Sequence, residues 1–276
     1  MADLFLTLSL ISFVLFTVPT GLRKYFGAFG WTFLALSFFS ITASYLSENE
    51  FVYLFGALLS LPVFYVSILY SLKGDKTAFR INFVAAVAFI IYAAVAFLSP
   101  VSDFLIAAQV DNTVTALAAI GHPASASAWD TILSKGYTVI ITFSCTPVLG
   151  TAVMVGLAAG AKGSSRGKFL ACLFAIISLA ALNIIRLIFV VVAYSDQWFP
   201  YFLDIASEGY PGYESFYWAH NVIGRISFTI LGIVVAGGGM ALFVPSIWEF
   251  YSEILHFYYK GIKNIADTFS TIFKSN

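Results

Sequence analysis

Charge is what this chain has least of. Its 276 residues include 14 lysines and arginines and 14 aspartates and glutamates, so charged residues make up only 10%. A soluble domain of this size carries about 25%, so an ordinary soluble globular fold is excluded. The formal net charge is zero, which leaves no electrostatic footprint for a nucleic-acid partner. Histidine and cysteine are also scarce, at three and two residues. No cofactor or metal is expected. No internal repeat is visible in the sequence, and the first apolar run lacks a basic leading segment. Asp3 stands there instead, so a cleaved signal peptide is not expected.

What remains is apolar: 60% of the residues are hydrophobic and 18% aromatic. Apolar runs near or above about 18 residues read as membrane-spanning helices. Seven such runs occur, over 4–19, 28–46, 51–72, 79–98, 138–161, 169–194 and 218–244. The expected fold is therefore all-α, a polytopic membrane domain over 1–244, with a long outer segment at 99–137 and an amphipathic tail at 245–276. In the outer segment Ile106, Val110, Val114 and Leu117 recur at helical spacing, as in an interfacial helix roofing a site or a plain amphipathic linker. In the tail, Ile247, Tyr251, Ile254, Tyr258, Ile262, Ile265, Phe269 and Ile272 form one stripe, suited to a helix on the cytoplasmic leaflet.

Positive residues collect on the cytoplasmic side of membrane proteins. Arg23, Lys24, Lys73, Lys76, Arg80, Lys162, Arg166 and Lys168 fall in or beside the odd-numbered loops, and Lys260, Lys263 and Lys274 in the tail. The even-numbered loops hold only Lys135, whereas they carry Glu48, Glu50, Asp103, Asp111, Asp130, Asp196, Asp204, Glu208 and Glu214. The expected topology has the N-terminus outside and the C-terminus inside.

Against this background three residues stand out. Arg186 and Arg225 lie inside apolar runs, and Cys145 lies in a third. An arginine in the hydrocarbon region costs about 2.5 kcal/mol or more, so such residues usually face a protein interior and mark a site. On the expected topology all three sit roughly 10–12 Å below the outer surface, at 1.5 Å per residue. Thr138, Thr142 and Cys145 would share one face of a helix that Pro147 kinks. Asn183 and Asn221 stand three and four residues before the two arginines, as amide helpers that orient the guanidinium groups. His220 sits at the outer mouth of the last run, but five residues from Arg225 is a different face of a regular helix. Cys172 lies at the opposite, cytoplasmic end and reads as packing; His122 and His256 read as loop and tail residues.

A thiol near a cation is favoured as thiolate, and arginine keeps its charge when buried. One arginine holding the thiolate and another holding an oxyanion is the layout of a cysteine acyl-transfer enzyme. Two other classes compete. One is an anion-binding transporter or channel, against which the lack of repeats argues. The other is a haem- or quinone-binding subunit, which paired intramembrane histidines would support.

The segments Ser144-Cys145-Thr146, Asn183-Ile184-Ile185-Arg186-Leu187 and His220-Asn221-Val222-Ile223-Gly224-Arg225 resemble the exosortase/archaeosortase family of membrane transpeptidases, and its archaeal branch most. The separations of 41 residues from Cys145 to Arg186 and 39 from Arg186 to Arg225 fit that pattern. The resemblance implies Cys145 as nucleophile, Arg186 as the family's arginine and Arg225 at the third catalytic position. Bacterial members have histidine there, so His220 is an alternative occupant of that role. Pro147 departs from the small residue found after the cysteine motif. The resemblance further implies partners: surface proteins with a C-terminal Pro-Gly-Phe sorting signal, cleaved on the outer side of the cell membrane, and a membrane lipid as acyl acceptor.

Overall fold

The computed structural model describes residues 2–47, 51–203, 210 and 212–274. Glu48, Glu50, Asp204 and Glu208, counted above among the outer acids, lie outside the described residues. Helices dominate: α1 Ala2–Thr17, α2 Arg23–Ser47, α3 Phe51–Leu72, α4 Lys76–Ala96 and α5 Ser99–Ala119 precede a small sheet. Then come α6 Val148–Gly160, α7 Ser165–Ser195, a long helix α8 over Tyr213–Phe243, and α9 Ser246–Lys274. Five of these, α2, α3, α4, α7 and α8, are long and apolar enough to cross a membrane. The apolar helices α1 and α6 are shorter.

The run over 138–161 is not one helix. Strands β1 Ser125–Ala128, β2 Thr131–Ser134 and β3 Tyr137–Ile140 form an antiparallel meander. Lys135 and Gly136 join β2 to β3 with φ of 49° and 87°. Positive φ at both central residues is the turn whose twist matches a hairpin, and glycine meets it without strain. Thr138, Val139 and Ile140 pair with Leu133, Ile132 and Thr131. These β-branched residues suit a strand, where χ1 restriction costs nothing. A short 3₁₀ turn, Phe143–Cys145, follows. Pro147 then caps α6 instead of kinking a helix, because its missing N–H is an orphan at a helix start. Thr138 and Cys145 therefore share no helix face.

Within 99–137, residues Ser99–Ala119 form helix α5. Ile106, Val110 and Leu117 of α5 are buried with Ile132, Ile141, Cys145, Leu187 and Val191 in one core cluster. A second cluster lies between α4, α6, α7, α8 and the start of α9, with Met154, Ala171, Met240, Ile247 and Phe250. Cys172 packs on this second cluster and Cys145 belongs to the first.

The tail helix α9 is docked. Ile247 and Phe250 are buried, Tyr258 shares a hydrogen bond with Ser67 of α3 (2.9 Å), and Glu253 pairs with Arg80 of α4. Its stripe is split: Ile247 faces the protein, whereas Ile262 is 38% exposed. The side chains of Phe269 and Ile272 lie outside the described residues.

Candidate active site

The site is assembled on the carbonyl of Cys145. Asn183 Nδ2 donates to it at 2.9 Å and Arg186 Nη2 at 3.0 Å. Both lone pairs of that oxygen are thus used. Arg186 Nε donates to Asn183 Oδ1 at 3.2 Å, so the amide orients the guanidinium as its spacing suggests. Asn183 Nδ2 also donates to Gln109 Oε1 at 2.9 Å. Gln109 is a buried residue of α5, on the face that carries Ile106, Val110 and Thr113. Sequence reasoning passed over it, although a polar residue inside an apolar stripe is the signal that marks it.

Two backbone N–H groups beside the thiol are already committed. Cys145 N–H donates to Thr142 O (2.9 Å) and Thr146 N–H to Phe143 O (3.0 Å), and Pro147 has no N–H to offer. The thiol itself lies 3.6 Å from Thr142 Oγ1, which in turn contacts Ser144 Oγ at 2.7 Å. The start of α6, three residues on, brings the positive end of a helix dipole to this region.

Helix α8 decides the rest. Its segments Tyr217–Gly224 and Ile233–Gly237 are π-helical. Hydrogen bonds from i to i+5 widen the turn, so residues five apart come close to one face. In an α-helix they stand about 140° apart. His220 and Arg225, separated on a regular helix, consequently line the same cavity. Gly224 is required: a Cβ there would run into the Ala219 carbonyl of the widened turn.

The His220 ring is clamped. Its Nδ1 is 2.6 Å from Asn221 Oδ1; an amide oxygen only accepts, so Nδ1 carries the proton. The ring also stacks on Phe216, with centroids 4.9 Å apart and planes 8° from parallel. The imidazole is close enough to the Cys145 thiol to act on its charge. Asn221, expected beside Arg225, thus serves His220. The Arg225 guanidinium lies over the Tyr53 ring of α3, 3.9 Å from its centroid. Arg186 is within electrostatic reach of the Cys145 side chain, of Arg225 and of Tyr53.

Tyr53, Thr146, Asn183, Arg186, His220 and Arg225 line one cavity of about 470 Å³. Of the expected site residues, Cys145, Arg186, His220, Asn183, Asn221 and Arg225 are all brought together here. Cys172, His122 and His256 are elsewhere. His122 Nε2 lies 3.0 Å from both Ser134 and Ser195, tying the hairpin to the end of α7. Among the described residues no cluster of three or more histidine, cysteine, aspartate or glutamate side chains is arranged to hold a metal ion. Compared with known proteins, the chain matches no family model, no curated sequence and no solved structure.

Proposed function

We propose that the chain is a membrane-embedded cysteine transpeptidase that cleaves a C-terminal sorting signal of surface proteins and passes the new C-terminus to a lipid. The observation that carries this reading is the Cys145 thiol near a His220 ring held by Asn221, with His220, Arg186 and Arg225 lining one cavity. A thiol, a ring nitrogen facing it, and a third group holding the far ring nitrogen are the parts of an activated nucleophile.

In this reading His220 Nε2 takes the thiol proton, and the sulfur attacks the scissile carbonyl carbon. Negative charge gathers on the carbonyl oxygen. Arg186 and Arg225 stabilise it. Collapse expels the amine, which leaves with the proton from His220, and a thioester remains on Cys145. A lipid headgroup nucleophile then gives its proton to His220 and attacks the thioester. The new C–O or C–N bond forms as the C–S bond breaks, and the thiol is restored. Asn183 and Gln109 hold the cysteine backbone in place and touch no reacting atom.

The reading includes seven spans, with α1 and α6 crossing alongside the five long helices, the N-terminus outside and the active site toward the outer face. The asymmetry of basic residues supports that orientation. The helices and the three-segment resemblance support the substrate class.

Trapping tests it. A peptide ending in a Pro-Gly-Phe signal and an apolar helix, incubated with enzyme and quenched in acid, should leave a thioester adduct on Cys145 detectable by mass spectrometry. Hydroxylamine should release it. An anion-transporting protein would show anion flux and no adduct, and that result would sink the proposal.

A further inference from the structure

The small sheet has two edges, and they differ. Strand β1 pairs with β2 through a register shift between Ala126 and Ala128, and a bulge of this kind blunts an edge against further pairing. Strand β3 pairs with β2 residue for residue from Tyr137 to Ile140. The ladder continues one step, because Ile141 N–H donates to Asp130 O at 2.7 Å. Thr142 is still extended, with φ −97° and ψ 171°.

Alternation decides which backbone groups are left over. In an antiparallel pair every second residue exchanges its hydrogen bonds with the partner strand, and the residues between point their N–H and C=O the other way. Ile141 faces β2, and with it Val139 and Tyr137. Thr138, Ile140 and Thr142 therefore face the open side. Among the described residues nothing bonds to the N–H or C=O of Thr138 and Ile140, while the Thr142 carbonyl takes the Cys145 N–H. Thr138 and Ile140 are also exposed, Ile140 by 60%. This edge ends at the thiol. Thr142 Oγ1 is 3.6 Å from Cys145 Sγ, and Ser144 and Thr146 already line the cavity.

The geometry points to the open edge of β3 as a docking strand for an extended peptide, whose backbone pairs with Thr138, Ile140 and Thr142 and whose next residues reach Cys145. The edge has room for about five peptide residues at roughly 3.3 Å each. Main-chain pairing accepts many side chains, so this surface selects an extended segment more than a sequence. The inference deepens the transpeptidase reading and rests on it for the identity of the peptide. Residues ahead of the sorting motif run toward the thiol as β3 does, so the added strand is parallel.

Binding needs no turnover, so the test uses the Cys145→Ala protein. The probe is a fluorescent peptide of five residues followed by the Pro-Gly-Phe signal and an apolar helix, with binding read by anisotropy. Each of the five residues is N-methylated in turn, which removes one peptide N–H. Methylation at alternate positions should raise Kd about fivefold, the scale of one lost hydrogen bond. The positions between should change it less than about twofold, because their N–H groups face away from β3. Ile140→Pro removes an outward donor and leaves the β2 ladder intact; it should weaken the unmodified peptide by a similar factor, whereas Ile140→Thr, which keeps the donor, should not. A peptide that does not bind, or that binds without alternation, overturns the docking strand whether or not the proline variant folds. A thioester on wild-type Cys145 without alternation leaves the transpeptidase standing. Alternation in a protein that forms no thioester leaves the docking strand and removes the transpeptidase.

Discussion

Asn82 and Asn183 are both buried amides in long apolar helices, with 0% and 9% of their surfaces exposed. A polar residue within a membrane span is a functional candidate by default, yet the two differ in how their hydrogen bonds close. Asn82 Oδ1 accepts from Trp31 Nε1 at 2.7 Å, and its Nδ2 donates to Ser71 Oγ at 3.0 Å. Ser71 passes its own proton to the Ser67 carbonyl at 2.6 Å. Gly27 lets α2 approach the amide so closely that any Cβ there would collide with it. This cluster is sealed: every partner is another structural group. Asn183 instead bonds to the backbone of Cys145 and orients Arg186, whose guanidinium faces a cavity. The lesson is that burial alone does not separate a staple from a site. A pocket beside the network does.

The widest break in that comparison should come at the thiol. Cys145→Ala is expected to lower cleavage by on the order of 10³-fold or more, with the thermal melting temperature unchanged. Cys172→Ala, in the other core cluster, is expected to retain cleavage. Rates and melts of the two variants side by side check this, and equal losses would erase the distinction between the clusters.

Next come the residues around the thiol. His220→Ala is expected to cost roughly 10²–10⁴-fold, the range for a lost general base, and to slow alkylation of Cys145 at neutral pH. Arg186→Lys is expected to lose about 10²–10³-fold, like removal of an oxyanion donor. Lysine keeps the charge but cannot reach Asn183 and the Cys145 carbonyl at once. If Arg186→Lys kept full activity, the forked geometry would be irrelevant.

Gly224→Ala sharpens the comparison by changing no functional side chain. It must displace the Ala219 carbonyl and relax the π segment, which turns His220 away from Arg225. Cleavage should fall by roughly 10²-fold, the scale for about 1 Å of misplacement. The neighbouring Ile226→Ala, at an exposed position, should leave it within a factor of about two. A Gly224→Ala rate matching wild type would show that the widened turn is dispensable.

The smallest effect on activity should come from the sealed cluster. Asn82→Ala leaves the Trp31 N–H without its acceptor and removes the donor to the Ser71 hydroxyl. A loss of about 1–3 kcal/mol of stability is expected, read as a lower melting temperature, with cleavage per folded molecule unchanged. A specific loss of cleavage would mean that this cluster, too, belongs to the site.

Much of this was legible before folding. The scarcity of charge and the length of the apolar runs require helices in a bilayer, since backbone polar groups there must be satisfied within the helix. Arg186 and Arg225 stood out because charge is costly in those runs, and Cys145 because a thiol near a cation is a nucleophile. The Asn183–Arg186 pairing followed from a spacing of three, which holds in any α-helix. Where the period itself changed, the reading failed. Tyr137–Ile140 pairs in a sheet because the Lys135-Gly136 turn and its β-branched neighbours outweigh local apolarity. Pro147 begins a helix because the preceding turn has already ended.

The sequence by itself therefore determined the environment and the chemically expensive residues, because both depend on composition and local spacing. Tertiary structure decided which of those residues meet. The π-helical turn put His220 on the face of Arg225, α5 brought Gln109 to Asn183, and α3 brought Tyr53 beneath the Arg225 guanidinium. Contacts between residues 74 and more positions apart, and a helix whose hydrogen bonds skip one residue further, leave no periodic trace that a 3.6-residue reading detects.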